Sequence, residues 1–80
     1  MSTEFVYPVI DMRATGTHIK ELMDARKLSV QDVQDAMGFA SPQAVYRWLY
    51  GSNLPSVDNL YALSRFLDVP MNNVIVEKAA

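Results

Sequence analysis

The sequence predicts an all-α domain of five short helices preceded by an extended N-terminal arm. Apolar residues recur at helical spacing in successive segments, residues that cap helices stand before several of them, and the stretches between them are short. A chain of 80 residues can enclose one hydrophobic core. We therefore expect one domain, residues 13–76, between an arm of residues 1–12 and a tail of residues 77–80.

The composition is that of a globular protein, because half of the residues are hydrophobic and one fifth are charged. The absence of cysteine excludes disulfides, thiolate metal sites and a cysteine nucleophile, and no apolar run is long enough to cross a membrane. The single histidine, His18, has no partners at metal-ligand spacing and is interpreted as a surface residue of a helix. We expect a cytoplasmic protein that is not an enzyme and that needs no cofactor, metal or membrane.

The arm contains the stretch FVYPVI, which is β-branched and aromatic but is interrupted by Pro8. This pattern suits an edge strand or an extended arm, and the tail stretch VIVEK has a similar character. The two ends can pair within one chain or across a dimer, and both alternatives are open.

The first two helices are predicted from their apolar spacing. Helix one runs from about Thr15 to Lys27, where the basic pair Arg26 and Lys27 suits a helix C-terminus. Helix two follows Ser29, which stands three residues before Asp32 as in a capping box, and ends at Gly38. The expected core residues are Ile19, Leu22 and Met23 in helix one, and Val30, Val33 and Met37 in helix two.

The third helix is predicted with Ser41 as its N-cap, Pro42 in its first turn and Gly51 just beyond its end. Its two faces differ in character. Val45, Trp48 and Leu49 gather on an apolar face, and the nearly opposite face carries Gln43, Tyr46, Arg47 and Tyr50.

A fourth helix follows Ser56, a second candidate N-cap, and stops at Val69 and Pro70. Its core stripe consists of Leu60, Leu63 and Leu67, which Val57 and Phe66 would extend. A short fifth helix is expected from about Met71 to Ile75.

Two short helices joined by a tight turn with a glycine are typical of a helix-turn-helix, in which the second helix of the pair enters the major groove of DNA. The run LSVQDVQDAMGFASPQAVYRWLYGSNLPSVDNLYALSRFLDVP resembles the Cro/repressor-type (XRE, lambda-repressor-like) helix-turn-helix family, with the motif at about residues 29–51. The resemblance covers roughly residues 15–75 and implies a lambda-repressor-like fold and a DNA-binding transcriptional regulator.

The resemblance also implies roles for individual residues. The positions that read base edges in this family correspond to Gln43, Ala44, Tyr46 and Arg47. The positions that contact the DNA backbone correspond to Ser29, Val30, Ser41, Tyr50, Ser52 and Asn53. The sequence departs from the family pattern at Leu49, where an acidic residue is common, and at Pro42, which removes one N–H donor from the helix start.

The expected partners are double-stranded DNA and a second copy of the chain, for which the apolar residues Met71, Val74 and Val76 offer a surface. No small-molecule ligand is expected, because the length leaves no room for a sensing domain. The formal net charge of −2 argues against nonspecific binding of polyanions. The alternative function is a protein–protein interaction module, or an antitoxin-like adaptor, that uses the same helix surface.

Overall fold

The computed structural model describes residues 4–79, which form four α-helices and one 3₁₀ turn. The helices are α1 Met12–Ala25, α2 Val30–Met37, α3 Gln43–Leu49 and α4 Val57–Leu67, and the 3₁₀ turn is Met71–Asn73. The predicted all-α class is confirmed. The predicted fifth helix is only this single turn, closed by an N–H bond from Val74 to the carbonyl of Met71, after which the chain extends toward the arm.

A single core lies between the helices. Its buried apolar side chains are Ile19, Met23, Val33, Val45, Trp48, Leu60, Leu63, Leu67 and Val74. The prediction that Val74 offers a surface to a second copy is wrong, because this side chain is part of the core. Trp48 also packs edge-to-face on Phe39, with 5.7 Å between the ring centroids. The prediction that Val57 and Phe66 extend the stripe of α4 is wrong, because no described element covers Val57, which is 76% exposed, and Phe66 is 36% exposed.

Each α-helix ends with one residue in the left-handed conformation: Lys27, Gly38, Gly51 and Asp68. The N–H of the residue that follows each of them donates to a carbonyl in the last turn of the helix. For example, the N–H of Ser52 donates to the carbonyl of Arg47 at 2.9 Å. Helix α1 therefore ends at Ala25, before the predicted limit at Lys27. It also begins earlier than predicted, because the Asp11 carboxylate caps it by accepting the N–H of Ala14 at 2.9 Å.

The capping box of α2 is confirmed. The Ser29 hydroxyl accepts the N–H of Asp32 at 3.1 Å, and the Asp32 carboxylate accepts the N–H of Ser29 at 2.8 Å. The prediction that Ser41 caps α3 is wrong. Pro42 holds the N-cap position, because its own carbonyl accepts the N–H of Tyr46 at 3.1 Å and so starts the helix one residue later.

The two ends of the chain pair with each other inside one molecule. Ile10 and Glu77 form an antiparallel bridge, flanked by N–H bonds from Lys78 to Val9 at 2.7 Å and from Asp11 to Val76 at 2.8 Å. The buried hydroxyl of Thr15 accepts the N–H of Val76 at 2.9 Å and thereby fixes this pairing to α1. Of the two alternatives for the termini, the structure shows pairing within the chain.

His18 ties the 3₁₀ turn to α1. Its Nε2 lies 2.7 Å from the carbonyl oxygen of Asn73, and its Nδ1 lies 3.5 Å from the Glu21 carboxylate. Since a carbonyl oxygen only accepts hydrogen bonds, Nε2 carries the proton. His18 is half-buried and has a structural role at the surface of the helix.

Candidate nucleic-acid interface

Helix α3 has one buried face and one exposed face, as its sequence predicts. Val45 and Trp48 are buried against the other helices. On the opposite side, four of the predicted contact residues are exposed to solvent: Gln43, Tyr46, Arg47 and Tyr50. Ala44, also predicted to read bases, is half-buried at the edge of this face. We call the four exposed side chains the outer face of α3.

The outer face is held in place by close backbone contact between α1 and α3. A Cβ atom built on Gly16 would lie 2.3 Å from the carbonyl oxygen of Trp48 and 2.6 Å from that of Leu49. Only a glycine permits this approach. Gly51 meets α1 as well, because a Cβ atom there would lie 2.8 Å from the Cα of Arg13. The two glycines therefore let the C-terminal end of α3 rest directly on α1.

Two tyrosines of the outer face form an exposed stack. The rings of Tyr46 and Tyr50 have centroids 5.9 Å apart and planes inclined by 18°. Tyr50 is 73% exposed and Tyr46 is 41% exposed. These two rings line an open surface groove with Thr17 and Lys20 of α1, Val30 at the start of α2, and Leu49. The outer face therefore continues from α3 onto α1 and the N-terminus of α2.

Two cationic residues beside the outer face were missed by the sequence analysis. Arg13 adjoins Gly51, and Lys20 lines the groove of the tyrosine stack. Their spacing with Thr17, of four and then three residues, places all three on one face of α1. That spacing is readable in the sequence, but nothing local indicates that this face borders α3.

The charges of the interface are mostly free of partners. Within residues 4–79, Lys20 forms an ion pair with Asp24, at 2.7 Å between exposed groups, and the His18 ring lies 3.5 Å from the Glu21 carboxylate. Arg47 takes part in neither contact. Its guanidinium keeps all of its N–H donors available for another molecule.

The predicted backbone-contact residues fall into two groups. The N–H of Ser29 is already bonded to Asp32, whereas the N–H of Val30 has no acceptor among the described residues. A phosphate at the N-terminus of α2 would therefore use Val30 rather than the Ser29 N–H. Ser41, Ser52 and Asn53 are exposed in the loops on either side of α3, and Ser52 uses its N–H to close that helix.

The start of α4 carries a carboxyl group, that of Asp58, that accepts two hydrogen bonds. The hydroxyl of Ser56 donates to Asp58 at 2.5 Å, and the N–H of Asn59 donates to the same oxygen at 3.0 Å. These bonds lower the pKa of Asp58 below its ordinary value, because they stabilise the carboxylate form.

In the part of the chain that the structure describes, no three His, Asp or Glu side chains are grouped so that they could hold a metal ion. Nor does any helix of residues 4–79 have the length and apolar character needed to span a membrane.

Comparison with known proteins places this arrangement in a family. A model of the helix-turn-helix family matches residues 19–73. A search among curated proteins gave no match. Among solved structures, the restriction-modification controller protein C.AhdI from Aeromonas hydrophila is 23% identical, with a TM-score of 0.72 over 80% of this chain and 96% of that chain.

Two further solved structures share the fold. The DNA-binding domain of BldD is 18% identical with a TM-score of 0.69, and covers 82% of this chain and 94% of its own. The clp gene regulator ClgR from C. glutamicum is 16% identical with a TM-score of 0.68, and the match covers 79% of this chain and 80% of that chain. The chain belongs to the Cro/repressor-type helix-turn-helix family of DNA-binding transcriptional regulators.

Proposed function

We propose that the chain binds specific sequences of duplex DNA as a homodimer, with α3 of each copy in the major groove. The observation that carries the proposal is the outer face of α3. This short helix buries Val45 and Trp48 on its other side and presents an arginine, a glutamine and two stacked tyrosines to solvent. The similar structures are those of a controller protein, a DNA-binding domain and a gene regulator, which supports this proposal.

The side chains of the outer face suit base recognition. Arginine can donate two hydrogen bonds to O6 and N7 of guanine, and glutamine can pair with N6 and N7 of adenine. We assign these roles to Arg47 and Gln43. Ala44 and Tyr46 lie beside them and can contact a thymine methyl group.

The backbone contacts would surround this face. The free N–H of Val30 and the hydroxyls of Ser29 and Ser41 would meet one phosphate strand. Tyr50, Ser52 and Asn53 would meet the other strand from the far end of α3. These contacts fix the register of the helix in the groove and carry no sequence information themselves.

A dimer follows from the energetics of discrimination. Each bidentate pair discriminates by about 1–3 kcal/mol, so that two pairs give roughly 2–6 kcal/mol. Specific regulators need about 4–10 kcal/mol over nonspecific DNA. One copy is therefore marginal, and a two-fold dimer that reads half-sites about 34 Å apart doubles the discrimination.

The test is selection of random duplex DNA by the purified protein, followed by fluorescence anisotropy at two salt concentrations. We expect a two-fold symmetric motif, with affinity reduced by at least about tenfold in Arg47→Ala, since one bidentate pair is lost in each half-site. Arg65→Ala is the matched control, because Arg65 lies on α4 and stacks on Tyr61.

Selection that enriches no DNA sequence would contradict the proposal. If no sequence is enriched and the weak binding is the same in Arg47→Ala and the wild type, the proposal is wrong. The outer face would then contact a protein, and its binding would depend far less on salt than binding to DNA does.

A further inference from the structure

The N-terminal arm presents apolar side chains that nothing in the described chain covers. Phe5, Val6 and Tyr7 are 78%, 84% and 80% exposed. The rings of Phe5 and Tyr7 lie edge-to-face, 6.5 Å apart, on the same side of the extended backbone. Contiguous exposed apolar surface of this kind marks an interaction site. We call these two rings the aromatic face of the arm.

An apolar groove of about 260 Å³ lies where the arm meets the helical domain. Its apolar lining consists of Ile10, Leu54, Pro55, Val57, Leu60 and Ile75, and no charged side chain takes part. Val57 is 76% exposed at its rim, and Tyr61, one helical turn further along α4, is 53% exposed. We call this depression the Val57 groove. None of its lining residues belongs to α3, so a molecule bound there leaves the outer face free.

The arm of the same molecule does not fill this groove. The bonds from Lys78 to Val9 and from Asp11 to Val76 fix the arm on both sides of Ile10. Beyond this point the arm runs beside the tail, where residues 6–9 and 77–79 line a common depression. To reach the Val57 groove, the aromatic face would have to reverse direction and break the pairing of the termini. An occupant of this groove would therefore come from another molecule.

From these observations we infer that the occupant is a second copy of this chain. In this inference, which rests on the proposed dimeric function, each arm places its aromatic face in the Val57 groove of the partner. The arm and the groove meet at Ile10 in every copy. A two-fold axis beside Ile10 would therefore bring each arm to the groove of the other copy, which makes the contact reciprocal and closed.

The area of this exchange suits a weak, reversible dimer. Aromatic side chains each bury about 150–250 Å² and these rings are about four-fifths exposed, so the four rings of two arms remove roughly 500–800 Å² from water. The grooves that receive them add less, because much of their lining is already enclosed. The total is below the roughly 1,200–2,000 Å² of standard specific interfaces, in the range of weak and transient ones. An extended arm spans up to about 3.5 Å per residue, which lets residues 5–9 cross a contact of this size.

The first test uses engineered cysteines, because the chain has none of its own. Tyr7→Cys and Val57→Cys are purified separately as reduced proteins, mixed and oxidised mildly. Arm exchange predicts a disulfide-linked species of twice the monomer mass that contains one chain of each variant. The control mixes Tyr7→Cys with Ala36→Cys, whose new thiol lies on the exposed side of α2. An equal yield from both mixtures would overturn the inference.

The second test measures association by sedimentation equilibrium without DNA. We expect Phe5→Ser/Tyr7→Ser and Val57→Glu each to weaken dimerisation by at least about tenfold, because each removes apolar burial from both contacts. Mixing these two variants should restore partial association, since one intact arm can then meet one intact groove. Ala36→Glu is the control for an added surface charge. Circular dichroism checks that all variants are folded, as expected for changes at exposed positions.

The outcomes separate this inference from the proposed function. A wild-type dimer that both arm and groove variants leave intact would overturn arm exchange, while sequence-specific binding and its loss in Arg47→Ala would stand. A wild type that remains monomeric with and without DNA would overturn arm exchange and the dimeric part of the proposal together. Selection of a DNA motif tests base recognition independently of either result.

Discussion

At the scale of single residues, Ser29 and Ser56 occupy the same cap position of two helices but make different bonds. Ser29 caps α2 by accepting the N–H of Asp32, whereas Ser56 makes no cap bond to the backbone and donates to Asp58 instead. We expect Ser29→Ala to lower the free energy of unfolding by about 1 kcal/mol, the usual value of an N-cap bond. Ser56→Ala should lower it less. Urea denaturation of both variants gives the comparison, and equal losses would contradict it.

The same Ser56 hydroxyl controls the protonation of Asp58. Its hydrogen bond is the largest cause of the lowered pKa of that carboxyl. We expect Ser56→Ala to raise the pKa of Asp58 toward its ordinary value, which NMR titration of the side-chain carboxyl would show. A lowered pKa contributes stability that is present above the ordinary pKa and is lost as pH falls through the lowered one. In Ser56→Ala this pH-dependent contribution should therefore shrink, because the folded and unfolded pKa values come closer together. An unchanged titration would contradict the assigned cause.

At the scale of elements, the contact of α1 with α3 depends on Gly16. Glycine-to-alanine changes inside helices normally stabilise by up to about 1 kcal/mol. At Gly16 the sign should reverse, because the new methyl group would meet two backbone carbonyls of α3. We expect Gly16→Ala to lower the free energy of unfolding by at least about 2 kcal/mol, as measured by thermal or urea denaturation.

Gly38→Ala is the control for this reversal, because Gly38 is left-handed but has open space around its Cα. Gly38→Ala should lower the free energy of unfolding by only about 1–2 kcal/mol, the cost of the left-handed conformation for a residue with a side chain. If Gly16→Ala instead stabilised the protein, α1 and α3 would not be in the close contact described above.

The elements show how far the sequence could predict this structure. The helices, the capping box of Ser29 and the two faces of α3 depend on neighbours within a few residues, and the sequence predicted them. The exposure of Val57 and the closeness of Gly16 to α3 depend on how elements meet in space. Arg13 and Lys20 were missed at the candidate interface for the same reason: they come to α3 through the tertiary fold, and not through the motif.

At the scale of the whole molecule, a DNA-binding function has to be reconciled with a formal net charge of −2. The structure indicates how position can replace excess charge. Arg13 and Lys20 of α1 border the helix that carries Arg47, so three of the seven Lys and Arg side chains lie on one side of the molecule. Binding in this orientation would bring these cations to the phosphates, although Asp24 pairs with Lys20 and Asp32 stands in the first turn of α2.

This arrangement predicts the salt dependence of operator binding. A dimer that neutralises one phosphate with each of three cations per copy releases counterions from six phosphates, so the plot of log K against log salt should have a slope of about −5. Arg13→Gln removes two of these contacts per dimer and should reduce the magnitude of the slope by about 2, with base preference unchanged. Arg65→Gln, on α4, should leave the slope as it is in the wild type. Anisotropy titrations of the selected duplex at several salt concentrations would measure all three slopes. If Arg13→Gln and Arg65→Gln gave the same slope, α1 would not lie against the phosphates, and DNA would approach α3 from another direction.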